Sequence, residues 1–124
     1  MITLNSVPRL AIINNMENYN KQIQSIRMAL EELDKASEYN EGKYITLQNS
    51  LISIIQQTIT DSSLSQADKE NVFSEASSLL GGYIGCVEDV ERYFPQIEAL
   101  YSKGLITVEQ LDFFDSNMNI GRWR

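Results

Sequence analysis

The sequence predicts an all-α fold, a small helical bundle of four to five helices with a long N-terminal helix. Apolar residues recur at spacings of three and four along most of the chain, caps and prolines mark several helix starts, and no segment reads convincingly as a strand. A chain of 124 residues can bury a core without disulfides or metals. We expect residues 1–115 to form one domain and residues 116–124 a polar C-terminal tail.

The first predicted helix runs from about residue 8 to about residue 37. Its apolar residues alternate steps of four and three, which is the pattern of a coiled-coil seam. Ser6 is a residue type that caps helices, and Pro8 suits the first helical turn. The seam consists of Ile12, Met16, Tyr19, Ile23, Ile26, Leu30 and Leu33.

A second helix is predicted from about residue 43 to about residue 60. The stretch before it contains Asn40 and Gly42, two turn formers that tolerate positive φ. After it, Ser65 followed three residues later by Asp68 resembles a capping box and marks the start of a third helix. The apolar face of the second helix consists of Tyr44, Leu47, Leu51, Ile54, Ile55 and Thr58.

The third predicted helix has three glycines in its middle, Gly81, Gly82 and Gly85. Each costs roughly 1 kcal/mol relative to alanine inside a helix. The apolar residues nevertheless keep their spacing across the glycines, so we expect one continuous helix from about residue 66 to about residue 91. Close packing of another helix, or of a partner, on the glycine face would offset the cost. The apolar face consists of Val72, Ala76, Leu79, Tyr83, Val87 and Val90.

Two short helices complete the predicted bundle. Pro95 suits the first turn of a fourth helix, and Gly104 suits its C-terminal stop. Thr107 and Gln110 then form a capping box that opens a fifth helix.

The residue types argue against catalysis. The absence of histidine removes histidine-based acid–base and nucleophilic catalysis and histidine metal ligands. The stretch "GGYIG" lacks the lysine and the preceding strand of a phosphate-binding loop. The acidic neighbours of Cys86, the one cysteine, are expected to raise the pKa of its thiol rather than activate it. We therefore expect a protein that is not an enzyme, with no catalytic residues, no cofactor and no metal site.

The net charge of −7 is unevenly distributed along the chain. Residues 31–115 carry five basic and sixteen acidic residues, a charge of −11, while residues 1–30 and 116–124 each carry +2. The acidic middle repels nucleic acid and attracts a basic protein partner. No apolar run reaches the roughly 18 residues of a membrane span, and the N-terminus lacks the pattern of a signal peptide. We expect a cytoplasmic protein that binds neither nucleic acid nor membrane.

Partner contacts are predicted at two helix junctions where tyrosine lies among carboxylates. Such tyrosines are good anchors for a basic partner. The carboxylates of the second junction could instead hold a hard cation such as Mg²⁺, but their spacing is nonspecific, so we prefer a solvated surface. The predicted partner-binding residues are Tyr39, Glu41, Glu88, Asp89, Glu91 and Tyr93.

Residues 28–106 carry a family resemblance. In order, they read "MALEELDKASEYNEGKY", "ITLQNSLISIIQQTITDSSLSQADKENVF", "SEASSLLGGYIGCVEDV" and "ERYFPQIEALYSKGLI". The aromatic-rich turn after the first helix, the Leu/Gln-rich second helix and the glycine in the third helix resemble small all-helical immunity proteins. Those proteins neutralise interbacterial toxins, especially NAD-degrading type VI secretion effectors.

The resemblance implies a cytoplasmic protein that binds a cognate toxin with a basic surface and occludes its active site. Two alternatives stay open. The first is a self-associating coiled-coil scaffold or secretion chaperone, with a homodimer formed through the first helix; the stretch "IEALYSKGLITVEQLDFF" also resembles a short helix–turn–helix oligomerisation motif. The second is a phage-encoded inhibitor of a host nuclease, which the same acidity would suit.

Overall fold

A computed structural model of the protein describes residues 2–84 and 86–118. The regular secondary structure of these residues consists of five α-helices, and they contain no strand. Side chains are described from residue 15 onward within those ranges. The predicted all-α class is confirmed. The helices are α1 (Ile2–Lys35), α2 (Glu41–Ile59), α3 (Gln66–Gly81), α4 (Val87–Ser102) and α5 (Val108–Met118).

Helix α3 lies at the centre of the bundle, because it packs against α1, α2 and α5, while α4 packs against α5. Phe73 of α3 and Phe114 of α5 meet in the core with ring centroids 6.4 Å apart. Helix α5 continues through Met118, which is fully buried. Residues 116–118 of the expected polar tail therefore belong to α5, and residues 119–124 lie outside the described range.

The apolar seam of α1 packs into the core of its own chain. Ile23 and Leu30 have no exposed surface, and Ile26 is nearly as buried. These three seam residues are therefore unavailable to a second copy of the chain. Helix α1 already begins at Ile2, so Ser6 and Pro8 lie within the helix and not at its start as predicted.

The chain does not form one helix across the glycines, so the predicted continuous helix over residues 66–91 was wrong. Helix α3 ends at Gly81, and its last turn is closed by the amide of Gly82, which donates to the Ser78 carbonyl at 3.2 Å. A new helix begins at Val87 after the extended residue Cys86. The predicted apolar face is also interrupted at the break, since Val87 is 47% exposed and the core face of α4 consists of Tyr93, Ile97 and Leu100.

Gly81 nonetheless has the close-packing role that the glycines were expected to serve. A Cβ atom at this position would lie 2.8 Å from the backbone oxygen of Asn117 and 2.9 Å from its Cβ. Real Cβ atoms essentially never approach other atoms so closely. The missing side chain thus lets the last turn of α5 rest against the last turn of α3. Gly85, predicted to share this face, lies outside the described residues.

Helix α4 passes through Pro95, so the prediction that a helix begins at this proline was wrong. Proline removes the hydrogen bond to the carbonyl of Glu91, and its ring crowds the preceding turn. Both residues are exposed, so water can solvate that carbonyl. The side-chain amide of Gln96 also donates to the Arg92 carbonyl at 3.0 Å, which stabilises the backbone of the disturbed turn.

The predicted caps of α3 and α5 and the predicted stop at Gly104 are confirmed. The Ser65 hydroxyl accepts from the amide of Asp68 at 3.1 Å. The amide of Thr107 donates to Gln110 Oε1 at 2.9 Å, and its hydroxyl accepts from the Gln110 amide at 3.1 Å, which is a full capping box. Gly104 has φ = +74°, the left-handed conformation that ends a helix and that glycine adopts without strain.

Candidate partner-binding surface

Three tyrosines form a row at the end of the bundle where α1 meets α2 and α3 meets α4. The ring of Tyr39 stacks on that of Tyr44, with centroids 5.3 Å apart and planes inclined by 23°. The ring of Tyr83 follows at 6.5 Å from Tyr44, tilted by 34°. The row therefore joins the α1–α2 turn to the α3–α4 connection, and we call it the tyrosine row.

The row is fixed at its inner end and open at its outer end. Tyr44 and Tyr83 are partly buried and pack against the core. The Tyr44 hydroxyl donates to Asp34 Oδ1 at 3.1 Å, which ties α2 to α1. Tyr39 is 73% exposed, the largest exposure among the bulky apolar and aromatic side chains described. Since one face of its ring is stacked on Tyr44, the opposite face is open to solvent.

The α1–α2 turn presents Tyr39 because Asn40 starts the next helix immediately after it. The Asn40 side chain accepts from the amide of Lys43 at 3.1 Å and caps α2. Asn40 itself is extended, with φ = −123° and ψ = 90°. Tyr39 is thus held one residue ahead of a fixed helix start, which limits the positions that its ring can take.

A buried polar network holds the α3–α4 connection in place. The side chain of Gln48 on α2 donates through Nε2 to the Tyr83 carbonyl at 2.9 Å. Its Oε1 accepts from the Tyr93 hydroxyl on α4 at 2.8 Å. Gln48 is 2% exposed; its bond with Tyr93 is buried, and its bond to the Tyr83 carbonyl is partly buried. One amide therefore connects α2, the connection that carries the tyrosine row, and α4.

Tyr93 was predicted to lie at the surface, and this was wrong. The residue is fully buried, because its ring packs in the core and its hydroxyl finds Gln48 there. It cannot touch a partner in the folded protein. Its spacing to Ile97 and Leu100 was the signal for burial, since all three lie on the core face of α4.

Asp89 is also less accessible than predicted, because it is only 7% exposed. Its Oδ1 accepts from Arg92 Nη1 at 2.8 Å, and the Arg92 guanidinium carbon lies 5.6 Å from the centroid of the Tyr93 ring. Asp89 also occupies the first turn of α4, where the helix dipole favours negative charge. Asp89 therefore stabilises the start of α4. Although its side chain is buried, its charge adds to the negative potential of the nearby surface.

The surface around Tyr39 carries negative charge. Partial burial raises the pKa of the Tyr39 hydroxyl, and the nearby carboxylates of Glu41 and Asp89 raise it further. Burial, followed by the hydrogen bond to Asp34, likewise raises the pKa of Tyr44. The ring contacts from Tyr39 through Tyr44 to Tyr83 join the two helix junctions that were predicted as separate contact sites.

The remaining predicted residues, Glu88 and Glu91, are exposed on α4.

Cys86 comes just before this helix and is partly buried. The Asp89 amide lowers the pKa of the Cys86 thiol, but burial and the carboxylates of Glu88 and Asp89 outweigh it, so the pKa is raised. The expectation of an unactivated thiol is confirmed in its direction.

Sequence reasoning missed the inner residues of this surface. Tyr44 had been assigned to the apolar face of α2, and Tyr83 to a continuous helix. Neither assignment reveals that the two rings meet, because that contact depends on the break after Gly81 and on Gln48, which lies 35 residues from Tyr83.

A groove of about 700 Å³ lies beside this surface, between α1 and α2. Its walls are mostly apolar and include one acidic and one basic side chain. The groove is lined by Ala29, Glu32, Leu33, Asn40, Gly42, Lys43, Thr46 and Leu47.

Comparison with protein-family models, with curated protein sequences and with solved structures found no match to this chain. Among the described residues, no group of three or more cysteine, aspartate or glutamate side chains could hold a metal ion. No helix within the described ranges is long and apolar enough to cross a membrane.

Proposed function

We propose that this chain is an immunity protein that binds a cognate interbacterial toxin and inhibits it by occluding its active site. One observation carries the proposal: Tyr39 is a highly exposed aromatic side chain that is stacked on a fixed neighbour and bordered by carboxylates. A preorganised tyrosine adds contact area at low entropic cost, and interface energy concentrates in such residues. The proposed contact residues are Tyr39, Glu41, Glu88 and Glu91, with Asp89 contributing charge.

The charge distribution supports a basic partner. Residues 31–115 carry a formal charge of −11, and four carboxylates of this segment lie on or beneath the proposed surface. An acidic surface raises the association rate with a basic protein and disfavours acidic competitors. Occlusion needs only a rigid surface of matching shape and charge, so the inhibitor itself needs no catalytic group.

The packing of α1 favours this proposal over a scaffold that self-associates through its first helix. The seam residues Ile23, Ile26 and Leu30 are buried within the chain, so a coiled-coil dimer would have to expose the core. We therefore expect the protein to be monomeric without its partner, which sedimentation would check.

Co-expression with candidate toxins from neighbouring genes tests the proposal. The intact protein should restore survival, and the variant Tyr39→Ala/Glu41→Lys/Glu88→Lys should lose protection while retaining its thermal stability. The matched control is Tyr101→Ala/Glu109→Lys. Tyr101 lies in the last turn of α4 and Glu109 in the first turn of α5, both are exposed, and this variant should still protect. Unchanged protection by the first variant would exclude this surface. Failure to protect against every candidate, together with a concentration-dependent dimer, would favour the scaffold.

A further inference from the structure

The tyrosine row has one solvent-exposed aromatic face, that of Tyr39, and the exposed carboxylate of Glu41 follows two residues later in the chain. Tyr44 covers the other face of the ring, at 5.3 Å between centroids. None of the described lysine or arginine side chains stacks on Tyr39. An aromatic face attracts cations, and nearby carboxylates strengthen that attraction.

We propose that Tyr39 and Glu41 together bind an arginine side chain of the partner protein, with the guanidinium stacked on the Tyr39 ring and paired to the Glu41 carboxylate. This inference rests on the proposed function, since it names the chemistry by which the same surface recognises its partner. The groove between α1 and α2 then takes an adjacent apolar side chain of that partner.

Arginine fits this surface better than lysine for geometric reasons. Its planar guanidinium stacks on an aromatic ring and can donate sideways to a carboxylate at the same time. Lysine carries a compact and strongly hydrated charge, which cannot do both as well. Arginine also loses less hydration when it leaves water, which suits a partly covered surface.

The same chain already contains this arrangement beside the proposed site. Arg92 lies 5.6 Å from the Tyr93 ring centroid while its Nη1 donates to Asp89 at 2.8 Å. Tyr93 and Asp89 are both buried, so that pair is fully occupied within the protein. Tyr39 and Glu41, two residues apart and both exposed, offer a ring and a carboxylate at the open end of the surface, with the guanidinium left for a partner to supply.

The fixed position of Tyr39 favours binding at this site. Its ring is stacked on Tyr44, which is held by Asp34, and its backbone leads directly into the Asn40 cap. Less side-chain entropy is therefore lost when a guanidinium is placed on the ring.

The test is a nuclear magnetic resonance titration of the full chain with two probes, the capped peptides acetyl-Gly-Arg-Gly-amide and acetyl-Gly-Lys-Gly-amide, at low salt. The arginine peptide should shift the amides of residues 39–44 and bind more tightly than the lysine peptide. Tyr39→Leu should weaken arginine binding roughly two- to fivefold, the value of a cation–π contact at an exposed site, while Tyr39→Phe should retain it. Tyr101→Leu is the matched control and should change nothing.

Equal affinity for the two peptides, or unchanged arginine binding by Tyr39→Leu, would overturn the inference. The surface would then attract cations only through its overall negative charge. The titration is independent of any toxin, so the two proposals fail separately. Protection from a toxin without arginine preference would remove only the inference. Arginine preference at Tyr39 without protection from any toxin would remove only the immunity role.

Discussion

Gly81 shows how a single absent side chain determines a helix contact. The neighbouring atoms belong to the backbone and Cβ of Asn117, which cannot swing aside as the end of a long side chain would. The contact therefore fixes how closely the last turns of α3 and α5 can approach.

Gly81→Ala is expected to destabilise the protein by about 1–3 kcal/mol, because the new methyl group forces the two helix ends apart and this outweighs alanine's better helix propensity. Urea denaturation measures the change. Gly42→Ala is the matched control, since its Cβ would meet only Asn40 Oδ1 at 3.6 Å and the substitution should be neutral or slightly stabilising. A Gly81→Ala protein as stable as the wild type would show that α5 does not pack there as described.

Tyr19 and Asp61 form a second residue-scale contact, between α1 and the α2–α3 connection. The Tyr19 hydroxyl donates to Asp61 Oδ2 at 2.8 Å. Burial, followed by the bond and the charge of Asp61, raises the pKa of Tyr19 to about 12. Hydrogen bonds from Ser63, and then from Tyr19, lower the pKa of Asp61 although burial opposes them.

These shifts predict how stability depends on pH. The raised pKa of Tyr19 contributes stability that is present below its ordinary value near 10 and is lost as pH rises toward about 12. The lowered pKa of Asp61 contributes stability that is present above its ordinary value near 4 and is lost on further acidification. Tyr19→Phe should reduce the change of unfolding free energy with pH in both the acidic and the alkaline range. Tyr101→Phe, the control, should leave both dependences unchanged.

At the scale of elements, the Gln48 network joins α2 and α4 through a fully buried amide. Tyr93→Phe leaves Gln48 Oε1 without its partner in the core, so we expect a loss of about 1–3 kcal/mol. In a Gln48→Leu background the same substitution should cost much less, because no amide is then left unpaired. A double-mutant cycle by denaturant unfolding measures the coupling. Additive effects of the two substitutions would contradict the network.

The elements that sequence predicted well are those set by local signals. Ser65 caps α3, and Thr107 with Gln110 caps α5, because the bonds involved span three residues. The break after Gly81 was missed because periodicity reports which face is apolar and not whether the backbone is continuous. Glu88 and Asp89 supplied a local signal for a new helix, since acidic residues favour a first turn.

The candidate surface was predictable only in part. The sequence indicated that Tyr39 and Glu41 occur in a turn, and the structure places both at the surface. It could not indicate that Tyr93 is withdrawn into the core, because the partner of its hydroxyl is 45 residues away along the chain. Contacts of that kind depend on how helices are arranged, and the arrangement is fixed only after the chain has folded.

At the scale of the whole molecule, the acidic charge should act mainly on the rate of association. Glu41→Lys/Glu88→Lys should slow binding to a basic partner and make the association rate less sensitive to salt, since long-range attraction is screened by ions. Stopped-flow measurements at several salt concentrations give both quantities. Glu109→Lys, beyond the other end of α4, is the matched control. If Glu41→Lys/Glu88→Lys left the association rate unchanged, charged residues elsewhere on the protein would determine how fast it binds its partner.

The contact between Gly81 and Asn117 also bears on how the protein is made. Helix α3 is central to the bundle, and part of what covers it, including Phe114 over Phe73, is translated after α3 itself. A nascent chain that has not yet released residue 118 from the ribosome must leave that side of α3 uncovered. Burial of the core therefore becomes complete only after α5 has left the ribosome, and a ribosome that stalls within α5 would yield a chain that chaperones and proteases recognise.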